Sequence, residues 1–212
     1  MGKVDLRTFV FIDSLQPQLT SYIATIARGY LPVTRDASMI IEVAPGIAIN
    51  RITDVALKST SVKPAVQVVE RAFGLLEVHE FDQGAVRSAG EHILASLGLK
   101  VQDRLKPRIM TTQIITNVDD YQAMLINRGS RSGNMLLGGQ TMYILEVLPA
   151  GYATVAANEA EKAAPISLIH LQPFGAYGRL WLGGTEADIA EAARAVEASL
   201  AAIDGREGAQ TQ

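Results

Sequence analysis

The sequence predicts an α/β protein, sandwich-like in its layering, built from two copies of one domain in tandem. Three observations carry this prediction. The first is an internal repeat: adding 104 to a residue number takes Ala72, Phe73 and Gly74 to Ala176, Tyr177 and Gly178. The same step takes Ile40-Ile41-Glu42-Val43-Ala44-Pro45 to Ile144-Leu145-Glu146-Val147-Leu148-Pro149. Self-similarity at one fixed period, spanning strands, turns and helices, signals duplication. The second is a hydrophobic period that switches repeatedly between two and 3.6 residues, so strands alternate with helices. The third is length, since 212 residues hold two domains of about 100 each. A pair of like domains imitates two neighbours in a ring, so three chains would make a pseudo-sixfold ring with true threefold symmetry.

In order, residues 5–13 read as a strand with apolar residues on both faces, hence a buried one. Leu19, Tyr22, Ile23, Ile26 and Ala27 form one helical stripe over 16–28, which Gly29 is placed to end. A strand over 38–44 leads through Pro45-Gly46 into a helix to about Thr60. Strands follow near 65–70 and 75–81. The second reads as half-buried, because Leu76 and Val78 alternate with Glu77 and His79. A helix over 83–97 closes the unit. The polar stretch 98–107 is a linker, dividing residues 1–103 from 104–212. In the second copy Thr112, Ile114 and Ile115 match Thr8, Val10 and Phe11, while Gly133 matches Gly29. Arg128 to Gly133 reads as a flexible loop and Gly205 onward as a frayed polar tail. Thr185 is placed to cap the last helix, with Asp188 at its third position.

Composition narrows the function. Hydrophobic residues make up 48% of the chain and the mean hydropathy is +0.16, high for a monomer; partner subunits account for the surplus apolar surface. The net charge of -3, without a basic block, argues against nucleic acid. No apolar run approaches the ~18 residues of a membrane span. The absence of cysteine excludes disulfides and thiolate zinc sites and fits a reducing compartment. The N-terminus lacks a signal-peptide core, so a cytoplasmic location is expected. His79, His92 and His170 lack metal-ligand spacing, and no phosphate loop or acid–base constellation suggests a cofactor or an enzyme.

The chemistry concentrates at Val68-Val69-Glu70-Arg71-Ala72-Phe73-Gly74, where an acid and a base precede a small-aromatic-Gly turn. In the second copy Phe174 and Gly175 stand in place of Glu70 and Arg71. A plain surface ion pair would be worth about 0–1 kcal/mol. Facing a threefold axis, however, each side chain appears three times. Three guanidiniums then relieve three carboxylates and bridge neighbouring chains.

Glu42-Val43 with Pro45-Gly46, followed by Thr53-Asp54-Val55-Ala56-Leu57-Lys58, resembles the bacterial microcompartment shell domain. So does Glu146-Val147 with Pro149, followed by Ala156-Ala157-Asn158-Glu159-Ala160-Glu161-Lys162. The opening from Leu6 to Gln18, together with Val69 to Gly74, is similar to the permuted tandem-domain shell proteins of carboxysomes. That resemblance covers nearly all of residues 5–203. It implies a homotrimer, a pseudohexamer that stacks as two rings and tiles with hexameric and pentameric shell proteins. It implies a pore gated by Glu70 and Arg71, with Phe174 and Gly175 between them, through which small metabolites pass. It also implies edge contacts at Lys58 and Lys162. The rival readings are a small-molecule sensor with a deep pocket in each copy, and an enzyme on the same scaffold.

Overall fold

The computed structural model describes residues 4–129 and 133–208. Each half is a four-stranded antiparallel sheet with three helices. In the first, β1 (Asp5–Ile12), β2 (Ala37–Ala44), β3 (Lys63–Glu70) and β4 (Phe73–Glu80) stand in the order β1-β2-β4-β3. In the second, β5 (Arg108–Ile115), β6 (Thr141–Leu148), β7 (Ser167–Gln172) and β8 (Gly178–Gly184) stand as β5-β6-β8-β7. The helices are α1 (Pro17–Ile26), α2 (Ile49–Ser59), α3 (Gln83–Leu97), α4 (Asp120–Asn127), α5 (Tyr152–Ala163) and α6 (Glu186–Ala201).

Local chemistry sets these boundaries. The Asp82 carboxylate caps α3 by accepting from the Gly84 amide, and Gly98 ends the helix at φ 66. Thr185 caps α6 through the Asp188 amide, as its position predicts. The stripe on α6, Ile189, Ala192, Ala193, Val196 and Leu200, is buried throughout.

The layers explain how the halves join. Helices α2 and α3 cover one face of the first sheet, packing Ile52, Ala56, Val86 and Ile93 on Met39, Ile41, Leu76 and Val78. Helix α1 covers the other face. Its Leu19, Tyr22 and Ile23 join Val10, Ile12, Ile40 and Leu75 in an apolar cluster that continues into Tyr143, Leu145, Leu168, Leu180 and Val196. One core therefore runs through both halves. Helix α4 takes the place of α1 on the second sheet, over Met142 and Ile169.

Four expectations need correction. Glu77 and His79 are not half-exposed; each is 2% exposed, because α1 closes the face that alternation assigns to water. Ser38 donates to Glu77 at 2.7 Å, the Ala65 amide donates at 3.2 Å and His79 Nδ1 lies 3.2 Å away, so the buried carboxylate is satisfied. Gly29 does not terminate α1, which ends at Ala27 in extended backbone. Instead the chain at Gly29 runs against β3, where a Cβ would stand 2.1 Å from the Pro64 carbonyl oxygen.

The repeat is also not ungapped. Thr8 pairs with Glu42 but Thr111, not Thr112, pairs with Glu146, so β5 matches β1 at an offset one shorter than the rest. The full offset is restored by Gly139, whose amide donates to Val118 O as the Arg35 amide donates to Leu15 O; of the predicted Arg128–Gly133 loop, residues 130–132 lie outside the described set. Finally, the tail is not frayed at its start. The Lys106 amide donates to Arg206 O and the Arg206 amide to Arg104 O, each at 2.9 Å, and the Arg206 guanidinium pairs with Asp5.

Candidate functional site

Strands β3 and β4 pair as far as Glu70 with Phe73, which leaves Arg71 and Ala72 as a two-residue turn. Arg71 adopts φ 53, a left-handed conformation that disfavours a residue with a Cβ. Its aligned residue Gly175 also has a positive φ, 101, but in a longer connection, because β7 and β8 pair only as far as Gln172 with Arg179. The turn is pinned from below. The Gly46 amide donates to Ala72 O at 2.7 Å, and a Cβ on Gly74 would stand 2.3 Å from Gly46 O. The second half repeats this approach, with a Cβ on Gly178 falling 2.3 Å from Ala150 O.

The two turns meet. A Cβ on Gly175 would lie 3.7 Å from Glu70 Cγ. The fold thus brings all four predicted turn residues to one end of the molecule. Glu70 and Arg71 are exposed, Gly175 is buried beside Glu70, and Phe174 is half-buried against the shared core. Among the described residues neither Glu70 nor Arg71 has an ion-pair partner within the chain.

Behind the turn lies a charge that pattern reading passed over. Glu42 is 1% exposed and accepts from Arg7 Nε at 2.8 Å, Thr8 Oγ1 at 3.1 Å and the Gly151 amide at 2.8 Å. Burial pushes its carboxyl above the ordinary range, against the pull of the Arg7 guanidinium. Arg7 in turn lies over the Phe73 ring, 3.6 Å from its centroid. A signal was present: Glu42 and Glu146 are lone acids inside otherwise apolar strands of both copies.

The two lysines differ. Lys58 is exposed and pairs along α2 with Asp54 at 2.8 Å. Lys162 bridges Glu159 at 3.0 Å and Asp13, across the junction between halves, at 3.1 Å. Burial alone would lower the Lys162 ammonium, but the hydrogen bonds to Glu159 and Asp13 hold it above its ordinary value. The same contact holds Asp13 below its ordinary 3.8. A depressed carboxyl stabilises the fold above its unfolded value and ceases to do so as pH falls through its folded one. Lys162→Met is therefore expected to lower stability by ~0.5 kcal/mol at pH 7, a partly exposed pair being worth little. Urea unfolding across pH should show that difference fading below pH 3.8; a constant difference would contradict the bridge.

A pair of clefts lies at positions that the repeat does not relate. One, of about 400 Å³, lies along α4 between Met124, Met135 and Leu137. The other, of about 250 Å³, lies between Phe11, Arg87, Glu91 and Arg104. Among the described residues no group of three or more His, Asp or Glu is placed to hold a metal ion.

Comparison with known proteins agrees with this geometry. Residues 6–103 match the family model of the CsoS1D N-terminal domain. The carboxysome shell protein CcmP of Synechococcus elongatus is 54% identical over 204 residues, covering 96% of this chain and 95% of the relative. The carboxysome shell protein CsoS1D of Hydrogenovibrio crunogenus is 51% identical over 197 residues, covering 93% of this chain and 96% of the relative. A fused permuted hexameric shell protein from the RMM microcompartment superposes with a TM-score of 0.92 at 46% identity, covering 96% of this chain and all of that one (100%). A double ringed trimeric shell protein from the same kind of microcompartment gives 0.91 at 38%, covering 97% of this chain and 100% of that one. The chain belongs to the CsoS1D/CcmP family of carboxysome shell proteins, and its two sheets are tandem, permuted shell domains.

Proposed function

We propose that this protein tiles a carboxysome shell as a trimer, and that Glu70 and Arg71 of three chains meet at the threefold axis as a gated pore for small metabolites. One observation carries the trimer. The polar contact joining the two halves has an apolar counterpart left open at the chain's opposite faces. Within the chain, the Glu161 carboxylate accepts from the Gln18 and Leu19 amides at 2.8 and 3.1 Å and so caps α1. The Gln18 side chain extends the edge of β7, donating to Ile166 O and accepting from the Leu168 amide, both at 2.7 Å.

At the repeated positions stand Tyr121 for Gln18, Leu57 for Glu161 and Pro64 for Leu168. Proline has no amide to offer and leucine no carboxylate. Helix α4 caps itself instead, Asp119 accepting from the Tyr121 amide at 2.8 Å. Two of the positions turn apolar and the third loses its amide, and Tyr121 is 76% exposed. A neighbour's α4, set on α2 and β3 as α1 sits on α5 and β7, would bury that tyrosine on Leu57 and Pro64. Each chain fills two of six ring positions, so three chains close the ring.

Glu70 sits against Gly175 of its own second half, which supports alternating charged and bare turns around the axis. Such a ring would select by charge and by width. Leu31 and Val33, with their repeats Met135 and Leu137, are exposed in both halves and so fall outside the ring contact. They supply apolar surface for a second ring stacked on the first. Lys58, free of the junction that holds Lys162, is the stronger candidate for contact with hexameric neighbours at the outer edge; pentameric shell proteins would occupy the vertices.

Native mass spectrometry is expected to give three chains, or six for stacked rings, and Tyr121→Glu single chains. Electron cryo-microscopy of the trimer should place Glu70 and Arg71 at the axis, in more than one arrangement, with Arg71→Ala held open. Turns found at the periphery would sink the pore, and a monomer in solution would favour the sensor.

A further inference from the structure

We propose that Arg7 is a positioning residue for the pore turn: it holds Phe73 from behind while Glu42 holds it, so the turn is tied to the junction between the two halves. This rests on the gate reading of Glu70 and Arg71. The geometry begins with a bulge. β1 slips register between Leu6 and Thr8, leaving Arg7 unpaired with β2. A bulge re-aims the side chain it carries. Arg7 is turned onto the Phe73 ring, its guanidinium carbon 3.6 Å from the centroid, with its Nε on Glu42 at 2.8 Å. The two side chains are 12% and 1% exposed, so the pair is screened little by solvent. Phe73 closes the turn opposite Glu70. Glu42 is held in turn by the Gly151 amide of the second half at 2.8 Å. That approach needs a glycine, because a Cβ at position 151 would stand 2.9 Å from Thr8 Oγ1.

The second half provides an internal control. β5 slips at the same place, between Ile109 and Thr111, but the bulge residue is Met110. The cation paired with Glu146 comes instead from β8, as Arg179 at 2.7 Å, and no such contact forms over Tyr177 among the described residues. The half that retains the acid–base turn retains the clamp, and the half that lost one lost the other.

The groups facing Glu42 are Arg7 and Thr8 of β1, the Gly151 amide, and the Tyr152 phenol of α5, which is itself held un-ionised by burial. Arg104 of the linker acts on that phenol. Since burial raises Glu42, it takes up a proton at higher pH than an exposed glutamate and then ceases to hold Arg7 as an anion.

The test uses the intact oligomer. The chain has no cysteine, so Ala72→Cys gives one site for a trifluoromethyl tag, read by fluorine NMR. Arg7→Lys keeps the charge but loses the plane that stacks on the ring. Arg7→Lys and Phe73→Leu are each expected to raise the minor population of the turn about fivefold at unchanged oligomer mass. Arg179→Lys should leave the signal alone. In the parent protein that population should rise as pH is lowered, and Glu42→Gln should flatten the response. Spectra of Arg7→Lys that superimpose on the parent overturn the clamp. A turn that loosens in these variants, in trimers whose axis lies elsewhere, upholds the clamp and sinks the gate instead.

Discussion

Gly74→Ala is expected to lower stability by ~3 kcal/mol or more, enough to reduce the melting temperature of a chain of this size by about 10 °C. The new Cβ would stand 2.3 Å from Gly46 O and 2.8 Å from the Ile49 Cβ. Neither neighbour can yield by a change of rotamer, one being backbone and the other a Cβ. Ile49 is wholly buried in the α2–α3 core (0% exposed). Relief therefore requires β4 to part from the turn after β2, which breaks the bond from the Gly46 amide to Ala72 O. The Glu70–Phe73 turn loses its support in the same step. Gly84→Ala is the control, because there the nearest atom is the flexible Asp82 carboxylate at 3.1 Å. Differential scanning calorimetry decides; a loss below about 1 kcal/mol would contradict the close approach.

Glu161→Leu is the second large effect, expected to cost about 2–4 kcal/mol. It installs at the junction the residue that the repeat carries at Leu57. Helix α1 has no side-chain cap of its own, Gln16 at its N-cap making none, and relies on the other half of the chain. With leucine at 161, the Gln18 and Leu19 amides lose their acceptor, and the carboxylate no longer opposes the positive end of the helix. Glu161→Gln retains one oxygen and should lose roughly half as much. Hydrogen exchange of the Gln18 and Leu19 amides should accelerate ahead of α2 and α3. Uniform exchange along all helices would mean that Glu161 does not act as the cap.

The elements of the fold are legible in the sequence because each carries a local cause. The α6 stripe, the Thr185 cap and the strand ending in Glu42-Val43 all announce themselves within a dozen residues. What is illegible arises where one element covers another. Glu77 and His79 read as half-exposed by alternation, and only α1, packed from across the sheet, makes them interior. The one-residue slip of β5 is invisible to a fixed offset because Thr111-Thr112 and Ile114-Ile115 are doublets, so either register matches Thr8 and Phe11. At the site, Glu70, Arg71 and Gly175 are legible through the repeat. Arg7 is not, since a bulge depends on pairing geometry that no side-chain pattern encodes. Lys162 looked like the twin of Lys58, yet Asp13 reaches it from 149 residues away.

The pairing of Arg206 with residues 104 and 106 has a consequence for motion. The linker is stitched at residues 103–106 to the chain's own tail, and a single apolar cluster spans both sheets. No hinge is left about which the halves could swing. A change in aperture is then confined to the tips of the hairpins, a displacement of a few residues. Loop movements of that size run in nanoseconds to microseconds, whereas domain rotations take microseconds to milliseconds. On that footing the Glu70–Phe73 turn can rearrange without any rotation of one half against the other.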